Sequence, residues 1–117
     1  MLSLRDVENA REHVSGVVHQ TPLLHSNTFS RMFGCQVYLK AENLQRTGSF
    51  KLRGAVNRLR FLTPEQRSRG VIAASAGNHA QGVALAAQRA GIAATIVMPT
   101  TVSLPKLAAT RGYGARV

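Results

Sequence analysis

VIAASAGNHAQGVALAAQRAGIAATIVMP, Val71 to Pro99, is the stretch that decides the architecture. Its two ends, "VIAAS" and "AATIVMP", are short apolar runs bounded by glycine or proline. That is how strands buried inside a sheet read. Between them "NHAQGVALAAQRAG" has helix length, with Gly91 placed to close it. Strand, helix, strand in that order predicts a parallel pair with a crossover helix.

The pattern continues on both sides. Downstream, "SLPKLAATRGYG" predicts another helix and "ARV" the start of a third strand. Upstream, "TPEQ" opens a short helix, with Thr63 as N-cap, Pro64 at the first position and Gln66 completing a capping box. The expected class is therefore α/β, a parallel sheet with helices on both faces. It is incomplete as written, because the third strand is only beginning at Val117.

The first half reads differently. A helix is expected from Ser3, with Asp6 as the capping-box acid, an apolar stripe of Leu4, Val7 and Val14, and Gly16 as its end. Pro22 pushes Thr21 out of the helical region, so "HQTPLLHS" is extended or turning. "SNTFSRMFG" predicts a short helix closed by Gly34. "CQVYLKAE" alternates as a half-buried strand with Val37, Leu39 and Ala41 inward. A further helix is expected from Ser49 to Leu62, with Leu52, Val56, Leu59 and Leu62 on one face.

The chain has 117 residues, 44% of them apolar and 17% charged, which suits a folded domain and not a disordered one. Its single cysteine, Cys35, excludes an internal disulfide framework and any metal site built on several cysteines, and suits a reducing compartment. The N-terminus lacks the pattern of a secretory signal, and no apolar run is long enough to span a bilayer. A net charge of +10 raises nucleic acid as a partner. The basic residues are scattered, aromatic residues are few and no RNA-binding motif is present, which argues against it.

Two motifs carry chemistry. In "SAGNHAQG" a strand ends at Ser75, small residues turn, and a helix begins near Asn78. Free amides at such a start form an anion site, with Ser75, Asn78 and His79 as added polar groups. The plainer reading is a β–α turn capped by Ser75 or Asn78. Neither a hydrolase elbow nor a Walker loop fits, since Ala73 replaces the first glycine of the one and no Gly-Lys-Ser/Thr follows for the other. In "ENLQRTGSFKLRGA", Lys51 follows Phe50 at a helix start, where the dipole disfavours a cation. It is either a solvated surface lysine or a buried amine made nucleophilic by desolvation, with the neighbouring Arg53 adding to the effect.

Together, "ENLQRTGSFKLRGA" and "GVIAASAGNHAQGVA" resemble the pyridoxal-phosphate enzymes of the tryptophan-synthase-β fold type. Among these the wording is most similar to the threonine/serine dehydratases, the threonine ammonia-lyases, and to their catabolic single-domain branch. The likeness covers essentially the whole chain, the "TPLL" segment and the "VMP" strand end included. It implies a cytoplasmic lyase that uses pyridoxal 5'-phosphate to dehydrate and deaminate L-threonine or L-serine to a 2-keto acid and ammonia. It implies a homo-oligomer when complete. A serine/threonine racemase of the same fold type, or a fragment without catalysis, is the alternative.

Residue by residue, the resemblance implies that Lys51 carries the cofactor as a Schiff base and then takes the α-proton. Phe50 would flank the pyridine ring and Asn78 would meet the ring oxygen. Ser75, Gly77, Asn78 and His79 would hold the substrate carboxylate, while Arg46, Thr47 and Gln81 align with an AMP effector site. About residues 1–52 would belong to the large cofactor domain and 53–117 to an incomplete small α/β domain. The family's glycine-rich phosphate loop, and the later side chain that meets the pyridine nitrogen, have no counterpart in this sequence. The chain is thus expected to be the N-terminal portion of such an enzyme.

Overall fold

The structure is a computed structural model and describes residues 1–117. In chain order the elements are α1 (Leu4–Val14), β1 (Leu23–His25), α2 (Asn27–Phe33), β2 (Tyr38–Lys40), a 3-10 turn (Glu42–Leu44), α3 (Lys51–Leu59), α4 (Pro64–Arg69), β3 (Val71–Ala74), α5 (Asn78–Ala90), β4 (Ala94–Val97) and α6 (Leu104–Gly112).

Strands β3 and β4 pair in parallel, from Val71 opposite Ala94 to Ala74 opposite Val97. The last residues add to the far side of β4. Ile96 N donates to Arg116 O at 2.7 Å, and Arg116 N donates to Ala94 O at 2.9 Å. β4 is therefore central, and the third strand is present as a single parallel bridge between Thr95 and Arg116. β1 and β2 form a separate antiparallel pair, with Leu24 opposite Leu39.

The core lies where α5 meets α3 and one face of the parallel layer. Leu52 and Leu59 of α3 pack with Ala80, Ala84, Leu85 and Ala87 of α5 and with Ile96 of β4. Leu52 is fully buried, which stabilises the fold by roughly 1.5–3 kcal/mol. α5 is rich in alanine on its buried side, so its axis approaches α3 closely. The other sheet face is open, with Ile72 78% and Val97 56% exposed.

Several local signals act as written. Ser3 and Asp6 form a reciprocal capping box on α1, as do Thr63 and Gln66 on α4. Gly34 and Gly91 close α2 and α5 in the left-handed conformation. Other expectations need correction. α1 ends at Val14 with Ser15 as its cap, and only Val14 of its stripe is buried; Leu4 and Val7 face solvent. α3 is shorter than expected, and Val56 and Leu62 are only partly buried. β2 is exposed throughout instead of half-buried, because no element packs on the Leu24–Leu39 face. β3 alternates between half-buried and exposed residues for the same reason.

Gly70 joins α4 to β3 with φ 80° and ψ −172°, a region open essentially to glycine alone. A Cβ there would lie 2.7 Å from Ala93 O, the atom that accepts the first strand bond from Val71 N. Gly70→Ala is expected to cost about 2–4 kcal/mol, from backbone strain and the clash together. Urea unfolding of the variant beside the parent measures this; an unchanged midpoint would refute it.

Candidate active site

Lys51 is the first residue of α3, and its side chain is exposed. Its Nζ stands 4.8 Å from the centroid of the Phe50 ring. Both residues line a cavity of about 450 Å³. The remaining wall is mostly apolar, formed by Ala55, Leu59 and Leu62 of α3 and the residues just after it, Val71 of β3 and Val83 of α5, with His79 on one side. A nucleophilic Lys51 made so by desolvation needs a buried amine, and in this chain the amine is not buried. The cleft in front of it is open instead.

Arg53 does not act on Lys51 either. Its guanidinium grips Glu42 with two bonds, Nε to Oε2 at 2.9 Å and Nη2 to Oε1 at 2.7 Å. Nη2 also donates to His19 O at 3.1 Å, and the Thr21 hydroxyl donates to Glu42. The Arg53 hydrogen bonds hold the Glu42 carboxyl at about 2, against burial; the Thr21 hydroxyl and the charges of Arg53 and Lys40 act in the same direction. Gln45 completes the clamp. Its Oε1 accepts from His19 N at 2.8 Å and its Nε2 donates to His19 O at 3.0 Å. The segment His19–Thr21, the 3-10 turn and the start of α3 are thereby fixed as one unit. Gly48, with φ 68°, then turns the chain into Lys51.

The second motif forms the turn between β3 and α5. Gly77 is the N-cap and no side chain caps the helix. Asn78, at the first helical position, is therefore not the cap. Ser75 Oγ accepts from Gly77 N at 3.2 Å, so that amide is used within the turn. The amides of Asn78, His79 and Ala80 have no partner inside the helix and face the positive end of its dipole.

Gly82 brings the two motifs together. A Cβ at Gly82 would sit 3.1 Å from Lys51 C and 3.2 Å from Leu52 N, so α5 crosses the start of α3 backbone to backbone. Asn78 lies four residues earlier, about 6 Å along the helix axis. Lys51, Phe50 and His79 share the cavity, whereas Ser75, Gly77 and Asn78 form the adjoining turn outside its lining. An amine on an apolar cleft, beside a row of free amides, suits a flat carbonyl compound and an acidic group close to it.

The expected effector residues lie outside the cleft of Lys51. Arg46 is exposed and its carbonyl accepts from the Tyr113 hydroxyl at 3.2 Å, Thr47 is buried and Gln81 is half-buried, and none of the three lines that cavity. Sequence reasoning missed three features. Gly82 reads in the sequence only as part of a helix. Arg58, two turns beyond Lys51, lines the same cleft. The Glu42 clamp carries a faint signal, for Glu42 is one of only five acidic residues in the chain, a hint that its charge has a partner.

Comparisons with known proteins identify the family. A model of the family described as pyridoxal-phosphate dependent enzyme matches residues 14–117. The L-threonine ammonia-lyase of Thermotoga maritima is 56% identical over 117 residues, all of this chain and 29% of that protein. The solved serine racemase of Dictyostelium discoideum superposes with a TM-score of 0.90 at 39% identity, over 99% of this chain and 38% of that one. The solved threonine deaminase of T.th. gives a TM-score of 0.83 at 45% identity, over 99% of this chain and 36% of that one. The chain spans about a third of the length of these relatives. It belongs to the pyridoxal-phosphate dependent enzyme family.

The clamp has a pH signature. Glu42 titrates at about 2 in the folded chain against an ordinary value of 4.5. A carboxyl with a lowered folded value contributes stability that is complete above the ordinary value and is lost as pH falls toward the folded one. Stability is expected to drop between about pH 4.5 and pH 2 by about 1–2 kcal/mol from this residue, after discounting for the partly solvated Arg53. Glu42→Gln should flatten that part of the profile and be less stable at neutral pH. Thermal melts across the acid range decide it; a variant with the parent's acid slope would refute it.

Proposed function

We propose that this chain carries the reactive lysine and the carboxylate-binding turn of a pyridoxal-phosphate-dependent dehydratase, which converts L-threonine or L-serine to a 2-keto acid and ammonia. The observation that supports it most is the seating of the Lys51 backbone against Gly82, one helical turn from the free amides that open α5, with Lys51 and His79 lining one cavity. The relative at 56% identity bears the name L-threonine ammonia-lyase, which favours elimination as the reaction.

The residues present fit the cofactor. The open apolar cleft accepts a planar ring, Phe50 offers a flat side, and the Lys51 amine stands free at its mouth. When bound, pyridoxal phosphate supplies an electron sink for the charge left at the α-carbon. Lys51 Nζ would hold the cofactor and would serve as the base for the α-proton. The carboxamide of Asn78 would serve as a hydrogen-bond partner for the ring.

The substrate carboxylate rests on the turn. Because Gly77 N is already bonded to Ser75 Oγ, the donors left for it are the amides of Asn78 and His79 and the His79 ring. Ser75 acts by holding the turn in shape, with Gly77 giving the ligand close access to the backbone. The exposed β3 edge and the open sheet face support association with further polypeptide. A racemase is the second reading, favoured by the superposition on serine racemase.

The test traps the lysine. The chain is incubated with pyridoxal phosphate, reduced with borohydride and mapped by peptide mass. The label is expected on Lys51 in preference to Lys40 and Lys106, and to vanish from that peptide in Lys51→Arg, whose guanidinium is not a nucleophile at neutral pH. Even labelling of all three lysines would overturn the assignment. Asn78→Ala should weaken cofactor binding roughly tenfold, the loss of about one hydrogen bond. Its melting temperature should hold, since Asn78 is not the cap.

A further inference from the structure

We infer that Gly82 is a positioning residue, a spacer whose missing side chain sets the distance between the Lys51 amine and the carboxylate-binding turn. The inference rests on the proposed site and adds a specificity element to it.

Gly82 lies inside α5, where glycine costs about 1 kcal/mol relative to alanine. Its φ is not in the left-handed region, so the backbone does not require glycine. Nor does the helix break there, as α5 runs uninterrupted from Asn78 to Ala90. Only the space is restrictive. The atoms nearest to an added Cβ are Lys51 C at 3.1 Å, Leu52 N at 3.2 Å and Lys51 O at 3.3 Å. All three are backbone, and they cannot rotate aside as a side-chain tip would.

Those atoms belong to the residue that bears the amine and the one after it. α3 is also held in place, because Arg53 is clamped to Glu42 and His19. A side chain at Gly82 therefore displaces α5, and with α5 goes the turn one helical turn away. The gap from the Lys51 amine to the amides of Asn78 and His79 widens. Elsewhere along α5 the buried positions include Ala80, Ala84, Ala86 and Ala87, where methyl groups are accommodated. The glycine is confined to the place where the helix meets Lys51.

A ligand that spans a fixed gap reads its length. A compound with its carboxylate one bond from the reacting carbon needs the amine and the amides close together. A compound with no carboxylate is indifferent to the gap. Two aldehydes separate these cases. Each condenses with an amine to an imine and water, and cyanoborohydride, as hydride donor, reduces the imine to a stable secondary amine. Glyoxylate carries the adjacent carboxylate and propanal carries none. The labelling of Lys51, divided by that of the exposed Lys106 in the same molecule, cancels the intrinsic reactivity of each aldehyde.

In the parent chain the normalised glyoxylate-to-propanal ratio at Lys51 is expected to exceed unity. It should fall by roughly tenfold in Gly82→Val and by less in Gly82→Ala, since small misplacements of paired groups are costly. Ala86→Gly, one turn further from Lys51, loosens the same helix and should leave the ratio unchanged. Circular dichroism reports whether each variant is folded. An unchanged ratio in folded Gly82→Val or Gly82→Ala overturns the inference, as does an equal fall in Ala86→Gly. If Gly82→Ala does not fold while Ala86→Gly does, Gly82 serves the core alone and the inference is again overturned. A parent ratio of unity overturns the proposed carboxylate site itself, and with it the spacer.

Discussion

The bidentate contact of Arg53 with Glu42 is the interaction on which the placement of Lys51 depends. α3 begins with two cations, Lys51 and Arg53, at the end of a helix where the dipole opposes positive charge. Glu42 offsets one of them. Its own withdrawal from water, with 14% of the side chain exposed, is compensated by the guanidinium and the Thr21 hydroxyl. His19 O accepts from both Arg53 and Gln45. Because every member of the cluster has a partner, slipping the 3-10 turn or the start of α3 by one residue would strand a charge, and slipping His19–Thr21 would strand polar groups. The clamp therefore fixes register, and its net contribution to stability is the smaller effect.

A second constraint acts through α5. The Gly82 contact presses α5 against the backbone that the clamp holds. Lys51 is thus fixed by an ion pair and by close packing, while its side chain stays free in the cleft. The turn proposed to receive the carboxylate follows the C-terminal end of β3. Parallel strands present their ligand sites there, because each feeds a helix whose amides point back over the strand end.

What the sequence made legible follows from the range of the forces involved. Capping boxes at Ser3 and Thr63 and left-handed ends at Gly34 and Gly91 are decided within four residues, and they stand as read. The β3–α5–β4 unit was also legible, because a parallel pair needs a crossover and the spacing supplies one. Burial was not. Alternation in "CQVYLKAE" tells which residues share a face, and the exposed Leu39 shows that it does not tell whether the face is covered. The same limit applied to Lys51, whose exposure depends on what stands before the cleft. The motifs pointed to Lys51 and to the turn at Gly77, but the placement of those two elements comes from Glu42 and Gly82, which meet their partners across 11 and more than 30 residues of chain.

The same frame superposes on a serine racemase and on a threonine deaminase. Removing the α-proton is common to racemisation and dehydration, so an amine beside a carboxylate turn serves both. The reactions part at the next step. Dehydration needs a donor that protonates the β-hydroxyl as it leaves, while racemisation needs the proton returned to the other face of the α-carbon. In this chain the cleft beyond Lys51 is walled by Leu59, Leu62 and Val71, with Arg58 as a further cation on its lining. None of the apolar three can donate a proton and a guanidinium stays charged under any ordinary condition, which leaves the His79 ring, on the same lining, as the group besides Lys51 that can exchange one. On the proposed reading, this chain carries the groups for the shared first step, the holding of the acid and the removal of its α-proton. The reaction that follows is chosen by whichever group meets the β-carbon across the open side of the cleft.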